Sequence, residues 1–406
     1  MTSSSPFMHL ESFLGLFGDQ APGSSVRDFE AALSQYIDAG NCFAVSSGRL
    51  GLYLIIKSLG LGEGTKVLMS ALNFHVVPTM VRSAGLEPIF ADVDAETLNM
   101  EPGEVERRIG PDTSAVLVTH MFGQPCDIDA LVEICRDRGV ALIEDCAHAF
   151  GADVGGRKVG SFGDASFFSF ETVKHINTYG GGMVVLKSDS VAGKFAAELA
   201  GLPPTTRRRL ARKIVFSCIE HFLSRPIFFS LTVSPLLSIQ YALGGDETGL
   251  VQWYKKRKRR RDDILFQYSD LQARAGMKQL PPIDALNEQR RRNARLLTEK
   301  LTDVVSMQKI PKNTNPAHYL YVIAHREPGA LIKELFRNGI DASGHVMDYC
   351  PPLFRRRDDC PVARELSAGL VQIPFGPALS PSKINRLAAA VTRSAKKVNR
   401  DHRIDE

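Results

Sequence analysis

The chain has no paired-cysteine signature. Its seven cysteines are odd in number and none stands in a CxxC pair, which excludes a disulfide framework and a zinc site and predicts a reducing, cytoplasmic compartment. The opening stretch MTSSSPFMHLESFLGLFGDQ lacks a basic start followed by an uninterrupted apolar core. No secretory leader is therefore expected, and the first residues read as a loosely held arm. Internal repeats are also missing. So is a strong excess of one charge: a net charge of +5 and a pI near 8.8 are only mildly basic. No aromatic-interleaved nucleic-acid motif occurs outside one local basic run, so nucleic acid is not an expected partner. What is present is a chain of 406 residues, 44% hydrophobic, long enough for a large α/β domain and a smaller C-terminal domain.

Two segments carry the chemistry, ALIEDCAHAFGA at residues 141–152 and SFFSFETVKHINTYGGGM at residues 166–183. Residues 140–143 are continuously apolar, the mark of a strand buried on both faces of a parallel sheet. Asp145 then emerges at the carboxyl end, the edge where open α/β sheets collect ligands. Residues 165–170 repeat the pattern, and Lys174 follows four residues later, ahead of Gly180, Gly181 and Gly182, which let backbone pass close to a bound group. A carboxylate that keeps a pyridine nitrogen protonated and an amine that holds an aldehyde as a Schiff base are the two requirements of pyridoxal phosphate chemistry. Taken singly, an Asp at a strand end is more often a turn or cap residue, and a lone Lys a solvated charge. Their order shifts that balance, because the Ser-rich glycine turn SSGRLGLYLIIKSLGLG at residues 46–62 lies upstream and opens an apolar helix. Free amides at a helix start suit a phosphate.

With these motifs the sequence resembles the DegT/StrS sugar aminotransferases, fold-type I pyridoxal phosphate enzymes, over about residues 40–200 and 265–390. AGLEPIFADVDAETLNM at 84–100, HMFGQPCDIDAL at 120–131 and GGRKVGSFGDASFFSF at 155–170 fit the same pattern in the same order. The resemblance implies a large domain with a mixed, mostly parallel sheet flanked by helices, and a small α+β domain closing over the site. It implies that Lys174 forms the Schiff base with pyridoxal 5'-phosphate and moves the proton, and that Asp145 pairs with the ring nitrogen. Phe74 would stack on the ring, His148 would reach its phenolic oxygen, and Ser169 with Gly48, Arg49 and Leu50 would hold the phosphate. His345 and Tyr349 fall where the family carries a His at the site entrance, and are expected to touch substrate.

The chain also departs from the pattern. Gly48, Arg49 and Leu50 stand where the family reads Gly-Thr-Ala, so a guanidinium replaces a hydroxyl; it can still grip a phosphate as a planar donor. Glu171 replaces a frequent His and Gly180 a frequent Glu, both on the substrate side. Leu265, Phe266 and Gln267 replace the Asn-Tyr-Arg that reaches into a neighbouring subunit, which weakens the expected contact across the homodimer.

Residues 203–262 have no counterpart in the resemblance. Arg207, Arg208, Arg209, Arg212 and Lys213 precede an apolar stretch, an uncharged span follows over residues 226–245, and residues 255–261 are an unbroken basic run behind Trp253 and Tyr254. About 20 uncharged residues could cross a bilayer, but Pro235 and the interspersed Ser, Thr and Gln argue against a true span. An apolar wedge with basic flanks fits the surface of an anionic membrane, and this reading ranks ahead of a buried dimer face and both ahead of nucleic acid. The expected organisation is an arm and first helix over 1–40, a cofactor-binding domain over 41–202, the insert over 203–262, and a helical linker with the small domain over 263–406. The expected function is transfer of an amino group from an amino acid, glutamate, to a keto sugar linked to a nucleotide or a lipid. The alternatives are a dehydratase of the same family, in which the lysine is replaced by His and for which His175 is the neighbour to check, and a scaffold that has lost catalysis.

Overall fold

The computed structural model describes residues 24–223, 264–356 and 359–405. A seven-stranded sheet forms its centre, from β1 (Asn41–Val45), β2 (Lys66–Ser70), β3 (Glu87–Ala91), β4 (Thr113–Thr119), β5 (Ala141–Asp145), β6 (Ala165–Ser169) and β7 (Gly182–Leu186). The spatial order is β1-β7-β6-β5-β4-β2-β3, and β7 alone runs against the rest. This is the mixed, mostly parallel sheet expected. Strands such as GMVVL are buried at every position because helices cover both faces, which is why the runs read as continuously apolar. Helix and strand alternate from β1 onward, as crossover connections between parallel strands require.

A common direction for β1, β2, β4, β5 and β6 brings their carboxyl ends to one edge. Ser47 and Gly48 follow β1, Phe74 follows β2, Thr119 ends β4, Asp145 ends β5 and Ser169 ends β6. Register completes the alignment by placing Thr119 beside Asp145 and Asp145 beside Phe167. The helix Gly48–Leu59 starts at this edge with Ser47 as its N-cap, whose hydroxyl accepts the Leu50 N–H at 3.2 Å. It packs closely on the sheet, since a Cβ at Gly51 would lie 2.7 Å from Val184.

Helix Ser24–Ile37 buries Phe29, Leu33 and Ile37, a spacing of four that makes one apolar stripe. Phe29 stacks on Tyr268 and abuts Gly276 of the helix Asp270–Gln279, where an added Cβ would sit 2.4 Å from the ring. Gly276→Ala is therefore expected to cost about 1–3 kcal/mol of stability through overpacking, read from urea denaturation midpoints.

The C-terminal part has its own core. Three short antiparallel strands, Ser306–Met307, Tyr321–Ala324 and Leu370–Ile373, are backed by helices Ile283–Leu301, Pro328–Arg337 and Pro381–Asp405 around Leu297, Leu331, Leu335, Val371 and Val391. This matches the expected α+β pattern. One piece of it reaches the segment after β2: Asp348–Tyr349 pairs antiparallel with Leu72–Asn73 as a separate two-stranded sheet, just before Phe74.

The insert's first part is the helix Arg207–Leu223, whose Leu210 and Ile214 pack on Tyr179, Leu271 and Ala275. Arg209 lies 3.9 Å over the Phe266 ring. The uncharged span 226–245 and the basic run 255–261 lie outside the described residues, as does the expected arm before residue 24. Among the described residues, no helix is long and apolar enough to cross a membrane.

Candidate active site

Asp145 is 4% exposed and held by its neighbours. Its Oδ1 accepts the Ala147 N–H at 2.9 Å and its Oδ2 accepts the Thr119 hydroxyl at 3.4 Å, while Thr119 in turn accepts the Asn73 amide at 3.3 Å. That chain ties the end of β5 to the residue before Phe74. Burial pushes the Asp145 carboxyl up to about 6, against the lowering effect of the Ala147 N–H and the Lys174 charge. A carboxylate strained in this way gains from a cation placed against it.

Lys174 sits in the loop after β6, its N–H bonded to the Glu171 carbonyl at 2.9 Å. Its Nζ lies 4.2 Å over the ring of Tyr319, a cation–π contact. The same ring stacks on His148 at 4.5 Å, and His148 is flanked on its other side by Phe122 at 6.3 Å. His148 Nδ1 is buried with no hydrogen-bond partner among the described residues. Burial and the Lys174 charge hold the His148 imidazole well below its usual range, so it is neutral. The sequence carries no signal for Tyr319: it stands in the apolar run AHYLYVIAH at residues 317–325, and nothing in that run points it at Lys174.

The phosphate end is a tight backbone corner. A Cβ at Gly48 would lie 3.2 Å from the Phe168 carbonyl and 3.5 Å from Ser169 Cβ, so Ser169 stands against the start of the helix that Gly48, Arg49 and Leu50 open. Ser46 donates its hydroxyl to the Ile264 carbonyl and Val45 bridges to Gln267, so the segment that replaces Asn-Tyr-Arg packs beside its own chain's turn. Glu171 lies near Gly180, whose missing side chain would meet Lys213 Nζ at 2.4 Å and Glu171 Oε1 at 3.7 Å.

Phe74 is half-buried against the core and lies edge-on to His75 at 4.9 Å, and His75 bonds Asp348 at 2.8 Å. Tyr349 is half-buried, with its hydroxyl 3.4 Å from the Arg364 guanidinium. His345 is exposed, with a positive φ of 49°. The structure thus gathers Gly48, Arg49, Leu50, Phe74, Asp145, His148, Ser169, Glu171 and Lys174 at one sheet edge, brings Tyr349 near it through the strand pairing at Leu72–Asn73, and leaves His345 on the surface.

Behind Asp145 lies a fully buried group of possible metal ligands, His120, Glu144 and Cys146. Its donors are already engaged. His120 Nδ1 accepts the Cys126 N–H at 3.1 Å, which leaves Nε2–H to donate to Glu144 at 3.1 Å. Glu144 also accepts the N–H groups of Gly160, Phe162 and Gly163, each at 2.8 Å. Burial would raise the Glu144 carboxyl, but His120 and these N–H groups outweigh it and hold the group below its usual range. The cluster clamps the turn that leads into β6.

The edge described above can be set beside known proteins. A model of the DegT/DnrJ/EryC1/StrS aminotransferase family matches residues 18–211 and 249–392. GDP-perosamine synthase of Vibrio cholerae is 37% identical over 172 residues, 42% of this chain and 47% of that protein. L-glutamine:2-deoxy-scyllo-inosose aminotransferase of Streptomyces kanamyceticus is 29% identical over 301 residues, 74% of this chain and 62% of that protein. The matched stretch spans about half the length of the first curated relatives. Among solved structures, the aminotransferase TlmJ from Streptoalloteichus hindustanus superposes with a TM-score of 0.76 at 23% identity, covering 98% of both chains, and so shares the fold. Sheet order, site edge and family match agree, and the chain belongs to the DegT/DnrJ/EryC1/StrS aminotransferase family.

Proposed function

We propose that this chain is a pyridoxal 5'-phosphate-dependent aminotransferase that moves an amino group from glutamate to a keto group on a nucleotide-linked sugar. The observation that carries the reading is the pair of side chains at adjacent parallel strand ends: a buried Asp145 pushed up to about 6, and Lys174 with its amine over Tyr319. The donor set fits the cofactor. Asp145 offers a buried anion for a ring nitrogen, the corner at Gly48 and Ser169 offers a close-packed phosphate cradle, and the partnerless Nδ1 of His148 offers a hydrogen bond to a ring oxygen. When bound, the cofactor serves as the electron sink that makes the substrate's amino-bearing carbon acidic.

The chain's own residues do the rest. Lys174 would hold the cofactor through its amine, and the free amine would serve as the general base and acid that moves a proton at the substrate's amino-bearing carbon. Tyr319 keeps that amine oriented through the face of its ring. Phe74 follows Asn73 of the Asn73–Thr119–Asp145 chain and would stack on the cofactor ring, and Gly48, Arg49 and Leu50 with Ser169 would anchor the phosphate. Glu171 and Tyr349 face the acceptor side, and His345 is the outermost of the substrate contacts in this reading. The same reading divides the chain into a cofactor domain over 41–202 and a small domain from 263 onward.

Names of relatives support the acceptor class: GDP-perosamine synthase is one, and a dTDP-4-dehydro-2,3,6-trideoxy-D-glucose 4-aminotransferase from Saccharopolyspora spinosa is another. The dehydratase alternative needs a His in place of Lys174. His175 does not offer it, because its ring is buried with Nε2 on the Ala317 carbonyl at 3.1 Å. The test is a spectrum of the cofactor-loaded protein. Addition of glutamate is expected to bleach the visible band, and a keto sugar nucleotide to restore it; a band indifferent to glutamate and to glutamine sinks the transaminase reading and favours the scaffold.

The insert is read as a peripheral contact with an anionic membrane surface on the cytoplasmic side. Half-exposed Val215, Phe216 and Ile219 on its basic helix support a surface contact. Co-sedimentation with vesicles rich in anionic lipid is expected; a protein that stays in the supernatant and runs as a dimer instead assigns the insert to the subunit interface.

A further inference from the structure

Lys213 lies outside the stretch that the chain shares with its family. The helix that carries it is docked by Leu210 and Ile214, and Ser217 one turn further accepts the Asn177 amide at 3.5 Å, so the inward face of the helix is set. Lys213 projects from the margin of that face, half-buried. Its Nζ fills the room that a side chain at Gly180 would need, 2.4 Å from an added Cβ. Gly180, with φ +94°, precedes Gly181, whose carbonyl accepts the Phe170 N–H at 2.9 Å, and Gly182, which pairs with Ser169. An added Cβ at Gly182 would itself lie 2.9 Å from the Gly48 nitrogen. The amine therefore stands at the glycine turn whose next residues touch both Ser169 and the start of the helix at Gly48.

The charges around it are mostly of its own sign. Burial lowers the Lys213 pKa; Glu171 opposes this, and Arg209, Arg49 and Arg212 add to it. Gathering an amine and guanidinium groups around one carboxylate is unfavourable until an anion arrives, and a phosphate dianion accepts charge-assisted hydrogen bonds from both kinds of donor.

We propose that Lys213 is a phosphate-binding residue, supplied by the insert of the same chain, that acts with Arg49 at the Gly48–Ser169 corner. The shared chemistry is a phosphate group, carried either by the cofactor or by a nucleotide-linked substrate. The assignment rests on the pyridoxal phosphate reading above. It gives the insert's first helix a part in the site and accounts for the absence of a side chain at position 180.

The experiment titrates cofactor-stripped, full-length protein with pyridoxal 5'-phosphate and, separately, with pyridoxal, which lacks the phosphate. Lys213→Met is expected to raise the dissociation constant for pyridoxal 5'-phosphate roughly tenfold to a hundredfold, the loss of one hydrogen bond between charged partners, and to leave pyridoxal unaffected. A second arm measures GDP and dTDP binding to the cofactor-loaded protein by calorimetry. A loss confined to that arm keeps Lys213 as a phosphate ligand and assigns the phosphate to the substrate. Equal binding by variant and parent in both arms overturns the proposal, as does a variant that weakens pyridoxal as much as its phosphate, since that reports a structural role. Lys213→Gln, with melting curves of both variants, guards against misfolding. If the parent protein binds no pyridoxal 5'-phosphate, the proposed function falls together with this inference; if the parent binds it and the variants match the parent in both arms, only this inference falls.

Discussion

Lys174→Ala is expected to lower the turnover number for transamination on the order of 10⁴-fold, the upper range for losing a positioned proton-transfer group, and to abolish the visible band of the cofactor-loaded protein. The two readouts separate the residue's roles, because one reports the covalent hold and the other the proton transfer. Its contribution to folding is small by comparison. The side chain's contacts include the 4.2 Å approach to Tyr319 and charge interactions with Asp145 and His148. A half-buried cation–π contact is worth about 1 kcal/mol, so the melting temperature is expected to change little. A variant that keeps the parent's turnover, measured with glutamate and a keto sugar nucleotide, would remove Lys174 from the mechanism.

Asp145→Asn is the second large effect. The substitution keeps the shape and removes the charge, so the ring nitrogen of a bound cofactor loses its counter-ion; turnover is expected to fall on the order of 10³-fold, as when one preorganised electrostatic contact is removed. Stability moves the other way in the cofactor-free protein. Burial raises the carboxyl from its ordinary 3.8 to about 6 in the folded state, so the folded state holds its proton more tightly. Its contribution is therefore fully present below pH 4 and is lost as pH rises through 6. Across that window the Asn variant is expected to gain on the parent by up to about 3 kcal/mol, at roughly 1.4 kcal/mol per pH unit. Urea melts of both cofactor-free proteins at pH 4 and pH 7 measure the difference. A constant gap between the two curves would mean that Asp145 is not strained by burial.

Much of the site was legible because its residues announce themselves locally. Asp145 follows an apolar run and Lys174 follows another, and a run buried on both faces of a sheet has no polar alternation to obscure its end. The turn at Gly48 stood out by its Ser-rich glycines ahead of an apolar helix, and Ser169 entered only through the family resemblance. The His120–Glu144 clamp was not legible. His120 lies within the motif HMFGQPCDIDAL, yet its partner Glu144 is 24 residues further along and meets it only when β4 and β5 lie side by side.

Sequence by itself determined the class of sheet through its apolar runs, and the family with its cofactor through a few ordered motifs, since both are properties of neighbouring residues. Tertiary structure alone decided that Tyr319 lies under Lys174, that Lys213 fills the space at Gly180, and that Tyr349 approaches the edge through Leu72–Asn73 while His345 stays outside. Each of those facts is a contact between segments far apart along the chain. Such contacts are made by packing two surfaces together, and a single sequence carries no periodic trace of which surfaces will meet.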